Sequence, residues 1–385
     1  MAKDKKEKKS FGPFLTLLVI FLTVGPTAFP NFFWHGIMIV DYMMPTNGWK
    51  MFNDPYVERY HEYLISRLPD IPEKDAVVLP LETTTKETLR AASHGYTVPV
   101  IVRKAAADVQ AITKWTNQSW WIENYGDEEV LCKYVEGIKD GESPACTIKD
   151  AIGSIKSGDR SSRMYVSGES KLFVRRPELE EMVQSPFLDS IAPGKRVFTQ
   201  LFMGFPGMGS DVHAAIGCNL FRMITGSKKW WLMPVSQTPY VFGSINANGF
   251  SAHTKTRIGK AGQEPAPWLK KIERYTITLQ PGDLLLNTAW YWHGIINVGE
   301  DPDELVIGVP TRYAVEYTIP AFKSNFVLTT VALAAIQKSY GGMTSFLGSP
   351  TNLQDGIEKA RNTRAAQSVP GTDAPVSSLD EVATD

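Results

Sequence analysis

The sequence predicts a mainly β fold, a sandwich or barrel with helical additions at both ends. Three observations carry this reading. From about residue 160 the chain is cut into short β-branched and aromatic runs (MYV, RVFTQLFMG, LFRMIT, KKWWLMP, TITL, DLLLN, LVIGVP) by Gly and Pro turns, which is the pattern of a sandwich or barrel. Upstream of these runs, apolar residues recur at helical spacing instead. The 385-residue length, 43% hydrophobic content, 10 Trp and 14 Tyr supply enough apolar surface for one large packed domain.

Residues 1–40 read as a cytoplasmic basic stub and a hydrophobic signal anchor. Lys3 to Lys9 form a basic cluster, and an apolar run extends from Phe11 to Phe29, interrupted by Gly12, Pro13, Gly25 and Pro26. Apolar character resumes from Phe32 to Val40. A membrane span needs about 20 apolar residues and a signal-peptide core about 7–15. The expected topology is therefore a single-pass membrane protein with its domain in the secretory-pathway lumen. The alternative is secretion after signal cleavage. The sequon Asn117-Gln118-Ser119 suits either route.

Residues 41–94 read as a helical lead-in. Tyr56, Tyr60, Tyr63 and Leu64 form a helical stripe, which Leu68 continues and Pro69 stops. The barrel segment, 95–313, opens with a strand at Val98–Val102, followed by a helical stretch over 105–126 with Trp115, Trp120, Trp121 and Tyr125. Residues 314–365 form a C-terminal helical region, with a helix at Phe326–Gln337 that is too short for a second span. Residues 366–385, rich in Ser, Ala, Pro, Asp and Thr, read as a disordered tail.

Forty Lys and Arg against 41 Asp and Glu leave a net charge of −1. That balance lacks the basic excess of a nucleic-acid binder, so no nucleic-acid partner is expected. The cysteines, Cys132, Cys146 and Cys218, show neither zinc-knuckle nor CxxC spacing. Either Cys132 and Cys146 form a disulfide with Cys218 free, or all three are buried thiols, and the sequence leaves both open.

Two segments carry candidate chemistry. In the first, Gln200–Pro234, the stretch Thr225-Gly226-Ser227-Lys228 reads as a tight hairpin that pairs Met223 with Trp230 and Phe221 with Leu232. Side chains alternate faces along a strand, so Asn219, Phe221, Met223, Thr225, Lys228, Trp230 and Leu232 share one mostly apolar, inward face. An inward Lys228 needs an anionic partner, which a small dicarboxylate would supply. The alternative is a lysine that reaches solvent at the hairpin tip. His213 lies just before this hairpin. His293 lies in the second segment, Leu279–Val298, after the turn Pro281-Gly282-Asp283 and its strand. Two histidines on neighbouring strands can share a metal ion. His35, His61, His94 and His253 have no comparable setting and read as structural or surface residues.

These segments resemble the motifs of the JmjC/cupin-like (cupin-8 type) Fe(II)/2-oxoglutarate-dependent oxygenase family. Gly204, Gly207, His213, Asn219-Leu220-Phe221, Gly226, Lys228, Trp230 and Pro234 match in order and spacing, as do Pro281-Gly282-Asp283, Trp292 and His293. Upstream, Val98-Pro99-Val100-Ile101-Val102-Arg103, Trp115 and Tyr125-Gly126-Asp127 are similar to the family's opening strand and helix. The resemblance covers roughly residues 95–313. It implies a double-stranded β-helix (jelly-roll, cupin/JmjC-like) barrel with Fe(II) and 2-oxoglutarate as cofactors. It assigns His213 and His293 as metal ligands and Lys228 as the partner of the cosubstrate's distal carboxylate. Asn219 and Tyr165 align with positions lining the cosubstrate pocket. It also implies a protein substrate and, through helices after the barrel, a homodimer.

One position departs from the pattern. Where the family carries Asp or Glu two residues after the first histidine, this chain has Ala215. The ordinary site is a triad of two His and one carboxylate. Three readings follow. In the first, the domain is degenerate and binds without appreciable turnover. In the second it is an active protein hydroxylase that tolerates two histidines, recruits Asp211 or borrows a carboxylate from its substrate. In the third it is a halogenase-like oxygenase with a halide in the vacated site.

Overall fold

The computed structural model describes residues 28–43, 54–134, 145–157, 163–246, 251–254, 258 and 266–315. The expected basic stub, most of the hydrophobic run, the expected C-terminal helix and the tail lie outside the described residues.

Strand pairing among the described residues produces two sheets. The larger runs β1 (Val77–Leu79), β2 (Val100–Val102), β14 (Leu284–Asn287), β9 (Cys218–Thr225), β16 (Val306–Ala314), β7 (Leu201–Gly204), β5 (Met164–Glu169), β3 (Glu129–Tyr134) and β4 (Ala145–Thr147), with β6 (Lys195–Thr199) also on β16. The smaller runs β11 (Gly243–Ile245), β12 (Ser251–Thr254), β8 (Gly209–Ala215), β15 (Trp292–Val298), β10 (Ser227–Met233) and β13 (Tyr275–Leu279). The mainly β, jelly-roll expectation holds.

The alternation of side chains sorts the core into three layers. Between the sheets lie Ile101, Phe221, Met223, Leu285 and Val306 from the larger sheet, against Trp230, Leu232, Ile277 and Leu279 from the smaller. Phe221 and Trp230 meet edge to face across this interior, with centroids 4.7 Å apart. On the outer face of the larger sheet, Leu220, Ile224, Leu284 and Leu286 pack beneath the short helices, including Trp115, Trp121, Leu172 and Leu179. On the outer face of the smaller sheet, Val212, Ala214, Trp231 and Trp292 pack against Trp34, Val57 and Leu64 of the N-terminal helices α1 (Pro30–Met43) and α2 (Pro55–Ser66).

Two expectations are corrected. No helix among the described residues is long and apolar enough to cross a membrane, which overturns the expected single-pass, lumenal topology. The run from Phe32 to Val40 belongs to α1, whose 14 residues reach about 21 Å against about 30 Å of bilayer core. Trp34 and Met38 of α1 are buried in the protein core. The second correction concerns the hairpin. β9 pairs with β14 and β16, whereas β10 pairs with β13 and β15. Gly226, at φ +66°, is a corner where the chain leaves one sheet for the other. Phe221 and Trp230 therefore face each other across the interior, not along a ladder. The inward face assigned from alternation is nonetheless correct, because a crossover preserves the same alternation.

Cys132 and Cys146 are joined in a disulfide between β3 and β4, with Cα atoms 6.0 Å apart. Cys218 is free and buried.

Candidate functional site

The Pro281-Gly282-Asp283 turn sets the frame for the site. Asp283 is 1% exposed and accepts from the Lys104 and Gln280 amides while pairing with Arg103 at 2.5 Å. That turn launches β14, which lies beside β9 with Asn287 opposite Asn219. β16 lies on the other side of β9 and sets Arg312 opposite Asn219. One polar row, Asn287–Asn219–Arg312, thus crosses the inner face of the larger sheet. The smaller sheet answers with a row of histidines: His253 on β12 is in register with His213 on β8, and His213 with His293 on β15.

The ring centroids of His213 and His293 are 4.2 Å apart. Each Nδ1 pairs with a carbonyl two residues upstream, Asp211 O and Tyr291 O, both at 2.8 Å. A carbonyl can only accept, so both Nδ1 atoms donate and both Nε2 atoms keep a lone pair. Burial holds both rings in that neutral form. The His213 imidazole is held well below the usual range, mainly by desolvation and then by neighbouring His293. The His293 imidazole is lowered to about 4 by desolvation, with the Arg312 charge adding to it. The Asn287 amide nitrogen lies 3.4 Å from His293, and the side-chain oxygens of Asn219 and Asn287 have no hydrogen-bond partner among the described residues.

Lys228 lies deeper in the same interior, 1% exposed. Its Nζ donates to Asn297 Oδ1 at 2.5 Å and sits 5.6 Å from the centroid of the Tyr165 ring. Asn297 is fixed in turn by donating to Phe205 O. The Tyr165 hydroxyl is hydrogen-bonded to Ser210, and burial raises its pKa. Lys228 pairs with no carboxylate among the described residues, and desolvation lowers its ammonium to about 7. Gly308 makes room for it, because a Cβ there would meet Phe221 Cζ at 2.2 Å and Lys228 Cε at 2.9 Å.

The structure thus brings His213, His293, Asn219, Lys228 and Tyr165 to one interior. Asp211 does not join them as a ligand. β8 carries one extra residue opposite β15, since His293 faces His213 while Ile295 faces Ser210. This bulge breaks the alternation that would put Asp211 on the face of His213. Asp211 is exposed and offers its backbone carbonyl to the ring. Ala215 is half-buried on β8, opposite Ser251. Among the described residues no group of three or more His, Cys, Asp and Glu side chains could hold a metal ion.

Sequence reasoning missed four neighbours. Asn297 is the partner of Lys228, and Asn287 and Arg312 belong to the opposite wall. His253, which the sequence reading set aside, stands 6.1 Å from His213 by ring centroids. The signal for Arg312 was period-2 alternation: Gly308, Pro310 and Arg312 share the inner face of β16.

A family model described as "Cupin-like domain" matches residues 87–311. HSPB1-associated protein 1 of Homo sapiens is 25% identical over 178 residues, covering 44% of this chain and 36% of that protein. The protein of the same name in Rattus norvegicus is 26% identical over 173 residues, 43% and 36% of the two chains. Jumonji C domain-containing protein 5 of Drosophila melanogaster is 25% identical over 236 residues, 58% and 56% of the two chains. The match therefore spans about a third to just over half of the length of these relatives. With a family match over more than half of the chain, laid on two facing sheets that enclose paired histidines, this chain belongs to the JmjC-type cupin-like domain family.

Proposed function

We propose that this chain is a 2-oxoglutarate-binding JmjC-type domain whose metal centre is reduced to two histidines, so that it binds with weak or absent oxygenase turnover. The observation that carries the reading is Lys228, a buried inward ammonium with no acidic partner among the described residues. Burying such a charge unpaired is costly, and a carboxylate would relieve the cost. The family commonly uses Fe(II) and 2-oxoglutarate. The interior fits the second well and the first only in part, because two neutral imidazoles lie side by side, ring centroids 4.2 Å apart, and no carboxylate joins them among the described residues.

In this reading Lys228 holds the distal carboxylate, Asn297 orients the ammonium, and Tyr165 and Asn219 line the pocket. His213 and His293 present Nε2 atoms to a metal ion, which when bound would supply the redox chemistry of the family. Ala215 withdraws one ligand and one negative charge. The partner class we propose is a protein, in keeping with a relative named for association with HSPB1.

Calorimetry on the metal-free full chain tests the reading. Binding of 2-oxoglutarate should be measurable and should weaken at least tenfold in Lys228→Met, matching the loss of one charged hydrogen bond. Equal heats from wild type and variant at millimolar 2-oxoglutarate would end it. The ring pair favours a second reading, an active protein hydroxylase. Release of carbon dioxide from 2-oxoglutarate with added iron and ascorbate would select that one.

A further inference from the structure

We propose that Arg312 is a second carboxylate-binding residue of this interior, standing across from the histidine pair. The proposal deepens the 2-oxo-acid reading above, and it begins from register. Arg312 is directly opposite Asn219, whose side chain is 3% exposed and faces inward. Its neighbours in sequence, Thr311 and Tyr313, point the other way into the outer layer, where Thr311 bonds Thr199 and Tyr313 packs in the core. The guanidinium is close enough to His213 and His293 to depress both imidazoles.

Its hydrogen bonding is incomplete in a directed way. Nε donates to Gln200 Oε1 at 3.2 Å, and Gln200 is itself fixed by donating to Gly168 O. No carboxylate pairs with Arg312 among the described residues, and desolvation lowers its pKa to about 10. With Nε engaged, the terminal nitrogens are the part of the planar fork left for a ligand, and that fork matches a carboxylate in a bidentate fashion. Gly217 borders the same guanidinium, where an added Cβ would be in ordinary contact, 3.5 Å from Cδ and 3.9 Å from Nη1.

Charge then decides what fits. The interior holds Lys228 and Arg312, two neutral imidazoles, an alanine in place of the family's acid, and no carboxylate among these groups. Lys228 is four residues along β10 from Leu232, the residue in register with His293. That is about 13 Å of strand, so the two cations mark a deep end and a histidine end. A molecule with a carboxylate at each end satisfies both. The carboxylate at Arg312 comes either from the 2-oxo acid's C1 end or from a second, acidic molecule.

Calorimetry on the metal-free full chain separates these. The probes are 2-oxoglutarate, butyrate (one carboxylate and no 2-oxo-acid end) and acetate, each titrated into wild type, Arg312→Gln and Arg312→Lys. If Arg312 takes the C1 carboxylate, Arg312→Gln weakens 2-oxoglutarate at least tenfold and leaves butyrate unchanged. If it takes a second molecule, 2-oxoglutarate is unaffected, and acetate binding disappears in Arg312→Gln both with and without saturating 2-oxoglutarate. Either result supports the proposal, with Arg312→Lys retaining part of the affinity. Unchanged binding of all three probes overturns it. So does an equal loss of 2-oxoglutarate and butyrate in both variants, which would mark Arg312 as a structural residue. Should wild type bind neither 2-oxoglutarate nor butyrate while acetate still depends on Arg312, the 2-oxo-acid reading fails and Arg312 stands.

Discussion

Lys228 is the residue whose protonation should govern the pocket. Burial lowers its pKa to about 7. In the unliganded protein the unfolded chain binds the extra proton between pH 7 and about 10.5, so this group makes the folded state more stable as pH rises through that window. Binding a carboxylate requires the charged form, so the sign reverses for the ligand. Above pH 7, 2-oxoglutarate should bind with proton uptake, and its affinity should fall by up to about tenfold per pH unit. Calorimetry in buffers of different ionisation heat reads the uptake directly, and Lys228→Met should give a flat profile. Ala215 makes a complementary prediction. Ala215→Asp returns a carboxylate to the strand face that carries His213 and should raise Fe(II) affinity at least tenfold, measured by competition with a chromogenic chelator. An unchanged affinity would mean that the two imidazoles do not converge on one ion.

Secondary-structure elements determine how these residues meet, and here the sequence was legible in one respect and opaque in another. Alternation along Cys218–Met233 correctly assigned inward faces to Asn219, Phe221, Lys228 and Trp230, because alternation is local. It misassigned pairing, because a Gly-Ser corner between sheets and a two-residue hairpin look alike in one strand's composition. The place of Asp211 was illegible for a similar reason: a bulge is a property of the pair β8–β15 and leaves no mark on β8 alone. His253 was overlooked because its place opposite His213 depends on β12 adding to β8. The family resemblance named the two histidines, the lysine and Asn219, whereas Asn287 and Arg312 required the registers of β14 and β16. Two predictions belong to this scale. Gly308→Ala should collide with Phe221 and Lys228, costing about 1–3 kcal/mol and weakening 2-oxoglutarate binding in parallel. Replacing both Cys132 and Cys146 by Ser should lower stability by about 2–4 kcal/mol, seen as a lower thermal midpoint, because their loop spans 14 residues.

Across the whole molecule, two outer layers clamp the pair of sheets. The larger sheet is covered by short helices that sit over Arg222, which is 1% exposed and donates to the Val183 and Val309 carbonyls and to Thr311. The smaller sheet is covered by α1 and α2, with Trp34 as the anchor. Its Nε1 donates to Gly243 O at 2.9 Å, and its ring lies 5.2 Å from that of Phe242 and 6.2 Å from that of Tyr60. Gly243 in turn abuts Trp292, where an added Cβ would meet the indole at 2.5 Å, and Trp292 precedes His293. Trp34→Ala should cost about 3–5 kcal/mol of folding free energy, measured by urea denaturation. A much smaller cost would mean that α1 is only loosely attached.

The seating of α1 also bears on processing of the chain's front end. A protease cut just after residue 43 would carry away Trp34 and leave an aromatic socket open, with Phe242, His61 and the Gly243 carbonyl newly wetted. The product would keep every side chain of the histidine and lysine pocket, yet it would expose the apolar surface that Trp34 now covers, so trimming at that point carries a cost in stability.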